Sequence, residues 1–301
     1  MPIKIGSSTV DAVKLGSLNV DAIYLGVDLI GAGGGGGGGD PYVATAVQFD
    51  SSQRISIGSL IATDNNLFSF SVWFKADPVN GVTNVIFSDA GGVSSLVLYP
   101  PDDPILPGGV ASTIGVPTEG PEDFYDTLQI FPATLHLDNG WHHLIGSLWG
   151  DDGGGVPAGV SLYLDDVDIT PAVWPPIPDQ AGATAPDQNA FYGDDTSVVT
   201  NFNGRGFAIG NCDAGVFVGA ISDLWIAPGV SLLEGSGATT ISVADRRKFI
   251  TAGGKPANPS GFPAAAMLFS GDASTFATNH GTGGVFTLDG TLTDATTSPS
   301  D

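Results

Sequence analysis

At 301 residues, 42% hydrophobic and with a mean hydropathy of +0.19, the chain holds enough apolar material for two medium domains or one large all-β domain with appendages. A formal net charge of −23 argues against sequence-independent binding to phosphate backbones or to an anionic membrane surface, so neither nucleic acid nor membrane is expected as a partner. The single cysteine, Cys212, excludes an intrachain disulfide, and no apolar run is long enough to span a bilayer as a helix.

With 44 Gly and 21 Pro, the chain favours many short strands and turns over helices. Its acid is nearly all Asp, the only Glu residues being Glu119, Glu122 and Glu234, which places much of the negative charge on loop ends. The N-terminus, MPIKIGSSTV, lacks the continuous apolar stretch of a secretory signal, so synthesis and retention in a cytoplasm are expected.

The first thirty residues repeat with a period of ten: IKIGSSTVDA (3–12), VKLGSLNVDA (13–22) and IYLGVDLIGA (23–32). Ile3, Val13 and Ile23 align, then Ile5, Leu15 and Leu25, then Gly6, Gly16 and Gly26. Each unit reads as a short strand, a glycine turn and a second short strand. Segments this small bury no core alone, so 1–32 is either a strand arm on the main domain or an attachment and oligomerisation module. A glycine stem follows at 33–40. Alone it is a flexible tether; ordering it costs about 1–2 kcal/mol per residue in backbone entropy, which identical chains packed side by side would offset through backbone hydrogen bonds. A homo-oligomer is therefore expected, and a trimer suits a slender stem.

Residues 41–230 read as a β-sandwich. FSFSVWFKAD (68–77) alternates apolar and small polar residues. In GWHHLIGSLWG (140–150), Trp141, His143, Ile145 and Ser147 share one face, and His142, Leu144, Gly146 and Leu148 the other. VSLYLDDVDI (160–169) alternates likewise, and the Gly-rich connection DDGGGVPAG makes the two an antiparallel pair. Strands are expected over 68–75, 140–149, 160–165 and 215–226, with Trp73, Leu144, Leu162 and Ile221 buried on one apolar face. Two sections interrupt them: 100–126, with six prolines, and 168–200, with WPPIP and FYGDD. Such insertions lie on the surface and often carry recognition.

Beyond 230 the pattern loosens. VADRRKFI (243–250) is the best helix candidate, one or two turns long, and holds Arg246, Arg247 and Lys248. Residues 231–301 hold too few large apolar side chains for a separate core, so they are expected to pack on the sandwich through Met267, Leu268, Phe269, Phe276, Phe286 and Leu288.

Four landmarks in order resemble laminin-G-like (concanavalin A-like) jelly-roll domains: AVQFDSSQRISIGSL (46–60) resembles their first strand pair, FSFSVWFKAD the next long strand, the WHH and VSLYLDD strands the central hairpin, and FAIGNCDAGVFVGAISDLWIAPG (207–229) the closing strands. The ten-residue repeats are similar to N-terminal segments of tailed-bacteriophage virion proteins. The stretch from RRKFI through NHGTGGVFTLDGTLTDATTSP resembles a C-terminal segment of phage structural proteins that carry such domains. The resemblance implies an all-β laminin-G-like jelly-roll β-sandwich on the outer surface of a virion, made in the bacterial host cytoplasm. It implies a fibre that contacts other virion proteins through the N-terminal repeat and binds a host-surface saccharide. A capsid decoration or vertex protein is the alternative reading, and a polysaccharide depolymerase a third.

The residues bear unevenly on these readings. A depolymerase of the jelly-roll glycosidase kind needs two acids facing one cleft, as in an E-x-D-x-E strand, and no such strand is present, so no enzyme is expected. His142 and His143 are adjacent and would point to opposite faces of a strand, which prevents shared metal ligation. Laminin-G-like domains often hold Ca²⁺ at loop ends, and the paired loop acids Asp151, Asp152, Asp194 and Asp195 suit that hard cation. Phe124, Tyr125, Trp174, Phe191 and Tyr192 lie in irregular, acidic or Pro-rich loops, the last two close to Asp194 and Asp195. Exposed, such rings stack on sugar faces while carboxylates accept hydroxyl hydrogen bonds; folded under, they anchor the loops.

Overall fold

Each ten-residue repeat forms one antiparallel hairpin: β1 (Ile3–Ile5) with β2 (Ser8–Val10), β3 (Lys14–Leu15) with β4 (Leu18–Asn19), and β5 (Ala22–Leu25) with β6 (Asp28–Ala32). These belong to a first compact unit, Met1–Tyr42, and the rest of the chain, Val43–Asp301, forms a second. The structure is a computed structural model describing residues 3–5, 8–10, 14–15, 18–19, 22–25, 28–32, 42–62, 67–76, 84–90, 95–98, 110–116, 126–129, 139–149, 159–170, 202–234 and 240–301, with backbone alone for 3–32, 110–116, 126–129, 149 and 159–160. The stem at 33–40 lies outside them.

The second unit runs β7 (Val47–Asp50), β8 (Arg54–Ile57), β9 (Leu67–Ala76), β10 (Asn84–Asp89), β11 (Ser95–Leu98), β12 (Val110–Val116) and β13 (Asp126–Gln129). It continues with β14 (His142–Trp149), β15 (Gly159–Leu164), β16 (Val167–Asp168), β17 (Phe207–Gly210), β18 (Val218–Pro228), β19 (Met267–Phe269), β20 (Thr287–Asp289) and β21 (Thr293–Asp294). Among the described residues two antiparallel sheets form, one ordered β13-β12-β11-β10-β17-β8-β20 and the other β16-β15-β14-β9-β18-β7-β21, with β19 added against β18. The chain changes sheet at β7/β8, β8/β9, β9/β10, β13/β14, β16/β17, β17/β18, β19/β20 and β20/β21, which makes an all-β, two-sheet antiparallel sandwich. The strands expected over 68–75, 140–149, 160–165 and 215–226 are β9, β14, β15 and β18; Leu144, Leu162 and Ile221 are buried between the sheets, while Trp73 is buried on the opposite face beside His143.

Two details depart from the sequence reading. Strands β7 and β8 are not partners: β7 pairs with β18 and β8 with β17, one in each sheet. The turn between them is held locally, Asp50 accepting from the Ser52 amide and hydroxyl while Gln53 accepts from the Asp50 amide. Second, burial is not confined to one face. Between the sheets lie Phe49, Phe68, Phe70, Phe74, Leu144, Leu162, Phe87, Phe207 and Ile209, as period two predicts. The outward face of the eight-stranded sheet is also covered, with Ile145, Tyr163 and Trp225 packed under Leu232, Leu233, Ile241 and Phe249.

The serines of FSFSVWF and LIGSLW face that cover. They are small enough to admit it and polar enough to bind it. Ser69 and Ser147 hydroxyls lie 2.8 Å apart, Ser69 donates to the Val230 carbonyl at 2.8 Å, and the Leu232 amide donates to Ser147 Oγ at 2.9 Å. Ser147→Ala would strand the buried Leu232 amide, which costs about 1–3 kcal/mol. Urea unfolding should therefore show a stability loss of that size, while Ser161→Ala, whose hydroxyl makes no described hydrogen bond, changes stability by less.

A β-bulge sets which side of β18 faces the cover. Its register against β9 shifts between Ser222 and Trp225, and Asp223 adopts φ 27°. Ile221 and Leu224 consequently both point inward, and Trp225 points outward. Helix α1 (Val243–Arg246) is a single turn capped by Ser242, which accepts from the Asp245 amide. Behind it Arg246 donates to the Asp166 carbonyl at 2.9 Å and to its carboxylate, Arg247 donates to the same carboxylate at 2.6 Å, and Arg246 lies 4.1 Å over the Tyr163 ring. This fastens the cover to the β15–β16 turn, where Asp165 and Asp166 take positive φ. Further on, Met267, Phe269, Phe276 and Phe286 enter the core between the sheets, and Leu268 and Leu288 are half-buried. No helix among the described residues is long and apolar enough to cross a membrane.

Candidate functional site

At one end of the eight-stranded sheet the cover stops and a polar depression remains. A cross-strand row builds it: Ala220 on β18 pairs with Gln48 on β7 on one side and with Lys75 on β9 on the other. Two long polar side chains thus flank a short one, which leaves a trough between them. The register His143↔Trp73, His142↔Phe74 continues to place Trp141 opposite Lys75.

The far wall is the chain after β21. The Ala295 amide donates to the Ala46 carbonyl at 2.9 Å, and Trp141 Nε1 donates to Thr297 Oγ1 at 3.2 Å. Gln48, Lys75, Asn139, Thr296 and Thr297, with Ala76, Gly219, Ala220 and Ala295, line a volume of about 330 Å³. That is at the lower end of small-molecule sites, roughly 300–1,000 Å³.

The lining is chemically consistent. Two amides offer donors and acceptors, two hydroxyls offer both, and Lys75 offers three donors. None of the described lining residues is acidic. Every other basic side chain described is engaged: Arg54 with Asp213 at 2.9 Å, Arg205 with Asp89 at 3.4 Å, Arg246 and Arg247 with Asp166, Lys248 with Asp245, and Lys255 with the Asp301 carbonyl. Lys75 makes no ion pair or hydrogen bond among the described residues.

Beside the trough the two histidines point to opposite faces. His142 lies 5.9 Å from the Phe74 ring and its Nδ1 donates to Asp165 Oδ2 at 2.8 Å. His143 is fully buried, 4.8 Å from the Trp73 ring, with Nε2 2.8 Å from Ser71 Oγ. Burial pushes its pKa down to about 3, against a smaller opposing pull from Asp165 and Asp166, so it is neutral at pH 7. Burial likewise pushes the Cys212 thiol up to about 12, which makes it an inert core group.

Compared with family models and with curated proteins, the chain matches none. Solved structures do resemble its fold. One is a native heptameric SAP-like pentraxin from Limulus polyphemus, at 13% identity and a TM-score of 0.45, covering 83% of this chain and 94% of the pentraxin. Another is a candidate carbohydrate-binding protein from Bacteroides ovatus, at 15% identity and a TM-score of 0.45, covering 84% of this chain; the match spans 60% of that protein's length.

The aromatic and acidic residues singled out in the sequence, Phe124, Tyr125, Trp174, Phe191, Tyr192, Asp151, Asp152, Asp194 and Asp195, lie outside the described residues. Among the described residues no group of three or more His, Cys, Asp or Glu could hold a metal ion. Sequence reasoning missed Gln48, Lys75, Asn139, Thr296 and Thr297. One signal was available: Lys75 is the only Lys or Arg between Arg54 and Arg205.

Proposed function

We propose that the chain is a non-enzymatic structural protein of a tailed-phage virion, fibre-like, whose sandwich binds a saccharide of the host surface. The observation that carries this reading is the depression beside Trp141. Amides, hydroxyls and an ammonium converge there on a volume of about 330 Å³, and the Trp141 indole holds the lining residue Thr297 by a hydrogen bond. Such groups pair with the ring hydroxyls of a sugar. None of the described lining residues is one of the acids that glycoside hydrolysis requires, which supports binding over cleavage. The N-terminal hairpins are two-stranded and small, which suits docking onto other virion proteins and self-assembly into a trimer.

The test is a glycan array probed with full-length protein, with its mass in solution measured alongside. Binding to a set of glycans, lost on Trp141→Ala and Thr297→Ala, together with a trimeric mass, is the expected result. Absence of any glycan binding, with the chain located on the head of intact particles, would overturn the fibre reading in favour of a decoration protein.

A further inference from the structure

We infer that the depression selects acidic saccharides, those bearing a carboxylate or sulfate, and that Lys75 is the residue that selects them. This rests on the saccharide-binding reading of the same site. Six of the seven basic side chains described have an acceptor; the seventh, Lys75, lines the depression. Four other polar side chains line it, all neutral and all able to donate, and among the described residues no carboxylate lines it to neutralise the ammonium. A neutral sugar would leave that charge without a counterpart, whereas a carboxylate or sulfate on the sugar completes it with a charge-assisted hydrogen bond.

The chain's net charge of −23 acts against an anionic ligand, and the two effects differ in range. At physiological ionic strength charges more than about 8 Å away are largely screened. A group in contact with Lys75 is not, so the local attraction wins at the site while the distant acids slow approach. Position adds to this. Lys75 is half-buried at the end of β9 with Ala220 beside it, so its stem lies on the sheet and loses less freedom on binding than a fully exposed lysine would.

Matched glycan pairs test the inference: sialyllactose against lactose, sulfated lactose against lactose, and trigalacturonic acid against galactotriose, each titrated into full-length wild type, Lys75→Ala and Lys75→Arg. The acidic member of at least one pair should bind about ten-fold tighter or better, the usual scale for a charged hydrogen bond. Lys75→Ala should erase that preference by weakening the acidic member about ten-fold more than the neutral one, and Lys75→Arg should retain it. A merely structural lysine would weaken both members alike. Equal binding of both members, or a preference unchanged in Lys75→Ala, overturns the role of Lys75 and leaves saccharide binding standing. If wild type binds acidic and neutral glycans on the full array not at all, both readings fall together.

Discussion

Replacing Trp225 by alanine should lower the unfolding free energy by about 3–5 kcal/mol, the usual cost of deleting a large buried aromatic. Trp225 is fully buried on the outward side of β18. Its ring lies 4.9 Å from Phe249, which lies 4.6 Å from Phe262, so the indole begins an aromatic stack that carries the cover. Its Nε1 donates to the Pro263 carbonyl at 2.9 Å. Alanine would leave a cavity under the cover and an unpaired carbonyl. Trp225→Phe fills most of the cavity and loses only the hydrogen bond, so about 1–2 kcal/mol is expected there. Guanidinium unfolding of the full chain at pH 7, followed by circular dichroism, checks both. A loss below about 1 kcal/mol for the alanine variant would mean that the cover contributes little to the sandwich it lies on.

Acidification should destabilise the protein through His143. Its folded-state pKa, about 3, lies below the ordinary value of 6.5 because the imidazole is buried. Between those values the unfolded state binds the extra proton, so stability rises with pH. The contribution is fully present above pH 6.5 and is lost as pH falls from there towards 3. At pH 5 the unfolded imidazole is almost fully protonated and the buried one is not, a penalty of about 2 kcal/mol relative to pH 7.5. Denaturant unfolding of wild type and His143→Gln at both pH values isolates it from the carboxylates common to both proteins. Wild type should lose about 2 kcal/mol more than the variant over that interval. Parallel pH profiles would show that the imidazole gains a proton in place, and the neutral buried pairing with Ser71 would then be wrong.

Both predictions concern the outward face of the eight-stranded sheet, where the sequence was least informative. Alternation in FSFSVWF and HHLIGSLW assigns each residue to a side, and the structure keeps those sides: Phe68, Phe70 and Phe74 with Leu144 and Leu148 inward, Ser69 and Ser71 with His143 and Ser147 outward. The same alternation is silent on what covers the second side. Serine at the outward positions fits water and a packed backbone equally well. Only the placement of Val230 and Leu232 distinguishes them, as acceptor from Ser69 and donor to Ser147.

The sequence by itself determined the all-β class, the three hairpin repeats, the strands β9, β14, β15 and β18, and their buried residues, because strand periodicity and turn residues act over a few neighbouring positions. The tertiary structure decided what depends on partners far along the chain. It put β7 and β8 in different sheets, although they adjoin in sequence. It turned Trp225 outward through one extra residue at Asp223, which shifts every later side chain to the opposite face. It also brought Gln48, Lys75, Asn139 and Thr297 to one depression, although β7, β9, β14 and the chain end are widely separated in sequence. Local rules fix which way a side chain points along its own strand; a site also needs to know which strands are neighbours, and that is settled by the register and packing of the whole sandwich.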